Sequence, residues 1–431
     1  MTSSVAIIGA GVVGATAALA LGERGFDVTV YSDRTPDELR DAVPATGTAV
    51  LFGHSRDVDV DLTGDTYEEA PLSTGMATRL TSGEPGELSG LLDFDPEFGY
   101  VASGIDVRLR AHDRLKRFIE RGGRFLVDAV SRESLDTIAA QHDLTLVATG
   151  KGGLSALFPV DESRTVYRSP QRHLLAAAFT GLGHGPDVFP RNARTPRTGT
   201  HNVFNLHAEH GEAWIGPYWH KDAGATWSFL GFAKPGSPWV ERFAAVTDPA
   251  SAREAVVALY RDYFPDDAPT VEQLQVIEQD PHSWLTGAVT PTVRSAVGFT
   301  SSGRPVAAIG DTAIAFDPIA GQGAQTGIIQ VAALARAAAE RGSDFTAEWL
   351  REQFERHWTE RGHAAAEATR LFLGDPDYGF VAAKLFPAAQ EDDAVGAALF
   401  GLLSEPAPIL GLRTDEDVDR FIADAKAAVP A

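Results

Sequence analysis

The stretch that decides the fold is VAIIGAGVVG, residues 5–14 of a chain of 431 residues. The apolar run Val5–Ile8 is typical of a short buried strand, and the Ala/Leu-rich segment after the third glycine is typical of a helix. Gly9 permits a tight turn, Gly11 lets a pyrophosphate approach the backbone, and Gly14 allows the helix to pack closely on the strand. This order of strand, turn and helix predicts a dinucleotide site at the N-terminus of the helix, where free N–H groups favour an anion.

A second strand is predicted for residues 27–31 (DVTVY), which completes the spacing of a βαβ unit. In dinucleotide-binding folds the end of this strand usually presents an acidic residue to the ribose hydroxyls. Here the end reads Ser32-Asp33-Arg34. Two arrangements are therefore open: Asp33 accepts the hydroxyls, or Ser32 lies at the ribose and Arg34 covers the adenine or a phosphate.

A later segment points to the reactive end of a flavin. The buried strand predicted for residues 305–310 (PVAAIG) leads into Asp311 and then into FDPIAGQGAQTGI, residues 316–328, which opens a long helix. Gly321 and Gly323 would direct backbone N–H groups at a negative charge, such as the N1–C2=O edge of a reduced flavin. Asp311 is placed to accept a hydrogen bond from the ribityl chain, or alternatively only caps the helix that follows.

Composition excludes several classes of function. Lys and Arg number 37 against 59 Asp and Glu, which gives a net charge of −22 and disfavours nucleic acid as a partner. The absence of Cys excludes disulfides, thiolate zinc sites, iron–sulfur clusters and Cys nucleophiles. The histidines at 201, 207 and 210 lack the H-E-x-x-H spacing, and no G-x-S-x-G motif occurs, so neither a metal nor a serine nucleophile is predicted.

The beginning of the chain predicts no export or membrane segment. MTSSVAIIGAG has no cationic region, and its apolar run is far shorter than the ~20 residues that cross a bilayer. We therefore expect a cytoplasmic protein with no membrane partner.

Taken together, these motifs resemble the flavoprotein aromatic hydroxylases and, within that class, the styrene and indole monooxygenase family. The resemblance is carried by GAGVVG, DVTVYSDRTPDE (27–38), DVRL with ERGG (Arg108, Gly122 and Gly123), DLTLVATGK (143–151), PQR (170–172) and GDTAIAFDPIAGQGAQ (310–325). It implies an α/β fold in which a Rossmann-like, three-layer FAD-binding domain is discontinuous (residues 1–165 and 285–345). An antiparallel-β substrate domain (166–284) is inserted into it, and a helical region (346–431) follows.

The resemblance also implies a two-component reaction. A separate NAD(P)H-dependent flavin reductase supplies reduced FAD, which reacts with O2 to a flavin C4a-(hydro)peroxide that epoxidises or hydroxylates a styrene- or indole-like substrate. Because the flavin carries this chemistry, no catalytic side chain is predicted. Single-component relatives have an Asp-Gly turn that is associated with nicotinamide binding, whereas this chain has Thr149-Gly150, which favours an external reductant. The alternative is that Thr149 only closes a turn.

The sequence thus predicts two groups of ligand-binding residues. The FAD-binding group is Gly9, Ala10, Gly11, Val13, Gly14, Ser32, Asp33, Arg34, Arg108, Thr149, Gly150, Asp311, Pro318, Gly321, Gln322, Gly323 and Ala324. The substrate group is Ala45, Gly47 and Ala49, where styrene monooxygenases carry Asn, Val and His, together with Trp219 and Pro291. Small residues at the first three positions would widen the pocket and admit a bulkier aromatic molecule.

Three alternatives remain open. The first is a single-component NAD(P)H-dependent hydroxylase or a flavin reductase of the same fold, and the second is an oxygenase that acts on sulfur or nitrogen. The third is a flavin-binding protein without enzymatic activity, which the intact GQG segment disfavours because that segment addresses the reactive ring.

Overall fold

The computed structural model describes residues 2–47, 50–191 and 193–428. The first part of the chain contains β1 (Ser4–Ile8), α1 (Val12–Gly22), β2 (Asp27–Ser32), α2 (Pro36–Asp41), β3 (Val50–Phe52), α3 (Gly53–Thr63), β4 (Leu72–Ser82), β5 (Ser89–Phe94), β6 (Glu97–Gly104), α4 (Val107–Glu120), β7 (Arg124–Val127), α5 (Arg132–Gln141) and β8 (Leu144–Val147). The middle part contains β9 (His173–Thr180), β10 (Thr200–His207), β11 (Gly211–His220), β12 (Gly224–Ala233), α6 (Pro238–Ala244), α7 (Pro249–Tyr263), α8 (Ala268–Val271), β13 (Gln275–Val276) and β14 (Trp284–Ala288). The last part contains β15 (Thr292–Val293), β16 (Val297–Phe299), β17 (Pro305–Ala308), β18 (Ile314–Ala315), α9 (Gln322–Arg341), α10 (Ala347–His357), α11 (His363–Leu373), α12 (Gly379–Glu391), α13 (Asp393–Ser404) and α14 (Asp415–Ala427).

A six-stranded sheet in the order β16-β17-β8-β1-β2-β7 forms the nucleotide-binding part. Its strands run parallel except for the edge strand β16. Val5 of β1 is in register with Val28 and Leu144, and all three side chains are buried, as expected for parallel strands covered on both faces. The predicted α/β fold is confirmed by this sheet and by the helices that pack into its core.

A second sheet has ten strands, with the order β13-β9-β12-β11-β10-β4-β6-β3 and with β14 and β5 attached at its side. Because side chains alternate along a strand, the two faces of this sheet carry different residues and pack against different parts of the protein. Phe204, Trp214 and Leu230 are neighbours in register on one face. Val203 and Phe229 are on the opposite face and pack into a core with α6, α7 and α8.

Strand pairing in this larger sheet differs from the predicted domain boundaries. Strands β3–β6, from the segment 50–104 that the prediction assigns to the FAD-binding domain, join β9–β12 of the inserted domain. The join is the parallel pairing of β10 with β4, which connects residues far apart in sequence. The division into 1–165 with 285–345, 166–284 and 346–431 stays a prediction, and the sheet is continuous across its first boundary.

The chain after α9 is helical and covers the larger sheet at β5 and β6. Phe400 of α13 packs against Phe94 and Phe98 in one apolar cluster. A π-helical turn, Trp358–Gly362, connects α10 with α11. Among the described residues, no helix is both long and apolar enough to cross a membrane.

Candidate active site

A cavity of about 580 Å³, called the central cavity here, is lined by strands of the ten-stranded sheet, by loops that follow strands of the six-stranded sheet, and by residues of α1, α4, α9 and α11. One wall, called the polar wall because it presents main-chain groups together with the Lys151 and Asp311 side chains, comes from loops of the six-stranded sheet and the starts of α1 and α9. It includes Ala10, Gly11, Val12, Val13, Gly150, Lys151, Asp311, Pro318, Gly321, Gly323 and Ala324. The apolar wall comes mainly from the ten-stranded sheet and consists of Val50, Phe52, Met76, Leu174, Ala176, Phe204, Trp214, Leu230, Phe232, Leu285 and Phe372.

The turn between β1 and α1 offers main-chain N–H groups to the cavity. Gly11 is the N-cap of α1, with no side-chain cap and no acidic residue in the first turn of the helix. Gly9 has a φ of 108° and donates its N–H to the carbonyl of Tyr31 at 2.9 Å, which holds the turn against the end of β2. A Cβ on Gly14 would lie 2.0 Å from the carbonyl oxygen of Gly9, so only glycine allows this close approach. Gly9 and Gly14 therefore shape the turn without lining the cavity.

The start of α9 presents a second uncapped helix N-terminus to the same cavity. Gly321, with a φ of 61°, is the N-cap and makes no side-chain cap, and α9 has no acidic residue in its first turn. Gly323 and Ala324 line the cavity. Gln322 does not line it: its buried amide donates to the carbonyls of Ala320 and Leu403, both at 3.0 Å. The Gln322 side chain thus anchors the loop to the C-terminal helices, which leaves only its main chain for a ligand.

Three charged side chains line the central cavity among the described residues: Arg108, Lys151 and Asp311. The Lys151 ammonium lies 3.0 Å from an Asp311 carboxylate oxygen, and both side chains are partly exposed. Gly323 keeps space beside this pair, because a Cβ there would lie 3.4 Å from Asp311 Oδ1. Lys151 was not predicted, although it follows Gly150 directly and is a cation beside a nucleotide motif in a strongly acidic chain.

Arg108 lines the cavity, but its guanidinium is committed to protein groups. It donates to Asp106 at 2.8 Å and to Asp280 at 2.6 Å, and also to the carbonyl of Val43 at 3.2 Å. Burial alone would lower the pKa of Arg108, but the hydrogen bonds to Asp106 and Asp280 raise it above the usual range. Its charge is neutralised by two buried carboxylates, so Arg108 positions the segment around Val43 beside the cavity.

Asp317 lies behind the polar wall and is fully buried. Its Oδ1 accepts the N–H of Ile319 at 3.1 Å, whereas Oδ2 has no hydrogen-bond partner among the described residues. Burial raises the pKa of Asp317 to about 7, although the Ile319 hydrogen bond and the nearby Arg172 guanidinium act in the opposite direction. This carboxyl group therefore changes its charge near neutral pH directly beneath the loop that precedes α9.

The remaining predicted nucleotide contacts lie outside the cavity lining. At the end of β2, Asp33 and Arg34 form an ion pair of 2.8 Å with both side chains about half exposed, and Ser32 accepts the N–H of Arg34 at 3.3 Å. The Thr149 hydroxyl is 3.4 Å from the carbonyl of Gly152, which matches the alternative that it closes a turn. Both arrangements proposed for the ribose remain compatible with this geometry.

The predicted substrate residues are only partly brought together. Gly47 lines the central cavity, whereas Ala45 does not, although its neighbours Pro44 and Thr46 do. Ala49 lies outside the described residues. Pro291 lines a different cavity, described below.

Trp219 is not among the described residues that line the central cavity, and Trp214 occupies the position expected for it. Both belong to β11, but they are an odd number of residues apart, so their side chains point to opposite faces of the sheet. The pairing of Trp214 with Phe204 and Leu230 fixes which face meets the cavity. The aromatic character of β11 is visible in the sequence, whereas the face that each tryptophan occupies depends on strand pairing.

These features fit FAD. The free N–H groups at the start of α1 suit a pyrophosphate, those at the start of α9 suit the polar edge of an isoalloxazine ring, and Asp311 between them suits a ribityl hydroxyl. The glycines at 11, 321 and 323 leave the main chain accessible, because no side chain covers it. The residues present thus offer hydrogen-bond donors to the anionic parts of the cofactor and an acceptor to its ribityl chain.

Sequence comparison identifies styrene monooxygenases as relatives. Residues 150–269 match the family model described as "Styrene monooxygenase A putative substrate binding domain". Styrene monooxygenase StyA of Pseudomonas fluorescens is 27% identical over 338 residues, which cover 75% of this chain and 74% of that protein. A StyA from a Pseudomonas species matches with the same identity and coverage.

Solved structures agree in fold. The flavin-dependent brominase Bmp2 aligns with a TM-score of 0.61 at 14% identity, covering 97% of this chain and 100% of that one. 2-Methyl-3-hydroxypyridine-5-carboxylic acid oxygenase aligns with a TM-score of 0.57 at 16% identity, covering 93% and 98%. At these identities the likeness concerns the fold alone. The sequence relatives support a FAD-dependent monooxygenase that is similar to the styrene monooxygenases at 27% identity.

Proposed function

We propose that the chain is the oxygenase component of a two-component monooxygenase that receives reduced FAD from a separate NAD(P)H-dependent flavin reductase. The observation that carries the proposal is the central cavity itself, where two uncapped helix N-termini face an apolar, aromatic wall. When bound, reduced FAD supplies the reaction with O2 and the transfer of one oxygen atom to the substrate.

The protein's own contribution is binding, orientation and exclusion of water. Main-chain N–H groups of α1 and α9 hold the anionic parts of the cofactor, and Asp311 orients the chain between them. The apolar wall keeps bulk water away from the reacting atoms, since its aromatic side chains fill the space opposite the polar wall. No acid–base pair is needed among the cavity-lining side chains, whose charged members are Arg108, Lys151 and Asp311.

A neutral aromatic or alkenyl molecule fits the apolar wall best. Met76, Phe204, Trp214 and Phe232 offer apolar contact and ring stacking but no charge. Ala176 and the glycines at 47 and 287 leave room for a substrate as large as an indole. Oxygen transfer to a carbon–carbon double bond is therefore proposed, by epoxidation or hydroxylation.

The test uses FAD reduced anaerobically by light, so that no nicotinamide is present. This FAD is mixed with the protein, oxygenated buffer and one of four substrates, namely styrene, indole, a thioether or an amine. The oxygenated products are quantified by mass spectrometry with ¹⁸O2. The proposal expects one ¹⁸O atom in the product, and no NAD(P)H oxidation when the protein is given NAD(P)H and oxidised FAD without a reductase. Direct NAD(P)H consumption would favour the single-component alternative. Labelled products from thioethers or amines alone would favour the sulfur or nitrogen oxygenase.

A further inference from the structure

A second cavity of about 340 Å³ lies next to the central cavity. Its volume is within the ~300–1,000 Å³ range of small-ligand pockets. The aromatic and apolar residues that line it are Val166, Tyr167, Pro291, Val293, Ile314, Ala315, Phe316, Trp358 and Ala366. Phe316 lines both cavities, and its side chain is almost fully buried, so this ring is part of the partition between them.

The wall of the second cavity depends on the π-helical turn between α10 and α11. His363 donates its N–H to the carbonyl of Trp358, a hydrogen bond that spans five residues. In an α-helix two such residues would point roughly 140° apart, whereas the wider turn brings both onto one side of the helix. Their rings stack with centroids 5.6 Å apart and planes 15° apart. Turns of this kind inside α-helices are frequent at functional sites.

The same turn lies tightly against the partition. A Cβ on Gly362 would be 3.1 Å from Ile314 and 3.0 Å from the Trp358 ring. Ile314 belongs to β18, two residues before Phe316. The π turn, β18 and Phe316 therefore form one packed unit, in which the Trp358 side of the helix faces the second cavity.

The charges around the second cavity favour a neutral occupant. The Arg164 guanidinium lies 4.9 Å from the centre of the Trp358 ring and makes two hydrogen bonds to Glu355, at 2.9 and 2.6 Å. Arg370 lies 3.1 Å from Asp375 and 3.2 Å from Glu367. Both cations are neutralised by protein carboxylates, so neither is available to bind an anion, whereas the aromatic rings of the lining can contact a neutral molecule.

We propose that the second cavity binds a neutral aromatic molecule of the substrate or product class, which passes to or from the central cavity when the Phe316 ring moves. The inference rests on the proposed function for the identity of the molecule. It assigns the π turn a role in building a second binding site. It also gives Pro291, which was predicted to contact substrate, a place in this site.

Equilibrium dialysis with 5-bromoindole on the cofactor-free full chain tests the site. Two matched substitutions each fill one cavity: Ala366→Phe in the second and Ala176→Phe in the central cavity. The proposal expects two classes of bromoindole site in the unmodified protein. Ala366→Phe should weaken the affinity of one class at least tenfold, or about 1.4 kcal/mol. Ala176→Phe should weaken the affinity of the other class only. Bromine anomalous scattering from soaked crystals then locates each site.

A second variant guards against misfolding. Val166 lines the mouth of the second cavity with 53% of its surface exposed, so Val166→Trp narrows the entrance without disturbing a core. It should lower the rate of bromoindole exchange at the same site and leave the thermal unfolding temperature unchanged. A single class of sites that only Ala176→Phe removes, or bromine density confined to the central cavity, would overturn the proposal. Because these measurements need neither FAD nor O2, they remain valid if no oxygen transfer is found.

Discussion

The two walls of the central cavity use different parts of the chain for recognition. The polar wall works through main-chain N–H groups, which glycines leave uncovered at the starts of α1 and α9. The apolar wall works through the side chains of Trp214, Phe204 and their neighbours on one face of a sheet. An added Cβ is therefore the damaging change on the polar wall, whereas loss of a side chain is the damaging change on the apolar wall.

The largest effect is expected behind the polar wall, at Asp317. Burial raises the pKa of the Asp317 carboxyl group to about 7 in the folded protein, from about 3.8 in the unfolded chain. The stabilisation that this group contributes is therefore complete below pH 3.8 and is lost as the pH rises through 7. The unfolding free energy should fall by up to about 4 kcal/mol through this group between pH 4 and pH 8. Asp317→Asn should remove that dependence, which urea unfolding at several pH values measures. Parallel pH profiles for both proteins would contradict the assignment.

Two glycines of the turn between β1 and α1 separate folding from cofactor binding, because Gly14 only shapes the turn whereas Gly11 lines the central cavity. Gly14→Ala should cost about 3 kcal/mol of unfolding free energy, because its Cβ would collide with a main-chain oxygen. Gly11→Ala should leave stability nearly unchanged, since its φ is −68° and nothing lies within 4 Å of the added Cβ. It should nevertheless weaken FAD binding about tenfold by covering the main chain. Thermal unfolding measures the stability of both variants, and fluorescence titration measures their affinity for FAD. If Gly11→Ala bound FAD as tightly as the unmodified protein, the pyrophosphate would have to lie elsewhere.

Trp214 and Trp219 test the apolar wall, with one tryptophan of β11 on each face of the sheet. Trp214→Ala should raise the KM for the aromatic substrate about tenfold, because the lost ring contacts contribute ~1 kcal/mol or more. Trp219→Ala should change KM less than about twofold. Steady-state kinetics with saturating reduced FAD provides the comparison. A larger effect at Trp219 would show that substrate binds on the other face.

The smallest effect is expected for Lys151, the lining cation beside Asp311. Lys151→Met should weaken FAD binding about fivefold at low ionic strength, since a partly exposed ammonium is screened by salt. The difference should shrink as salt increases. Lys116→Met is the matched control, because it removes the same charge at an exposed position away from the central cavity. Equal losses of FAD affinity in both variants would show that the effect comes from the net charge of the protein and not from the position of Lys151.

What could be predicted from the sequence follows the same division between the walls. The turns at Gly11 and Gly321 were predictable because their conformation depends on a few adjacent residues. The choice of Trp214 over Trp219 was not, because the orientation of β11 depends on its pairing with β10 and β12. The anchoring of the Gln322 side chain could not be predicted either, since its partner Leu403 is 81 residues away.

The parallel pairing of β10 with β4 has a consequence for how the protein is made. Ser73 and Asn202, 129 positions apart, are joined by a side-chain hydrogen bond at this seam. On the ribosome, the glycine turn of the first strands emerges long before the strands that complete the opposite wall. Until β10 emerges, the edge of β4 stays unpaired and available to other nascent chains. A chaperone that covers this edge during the interval should therefore increase the yield of folded protein.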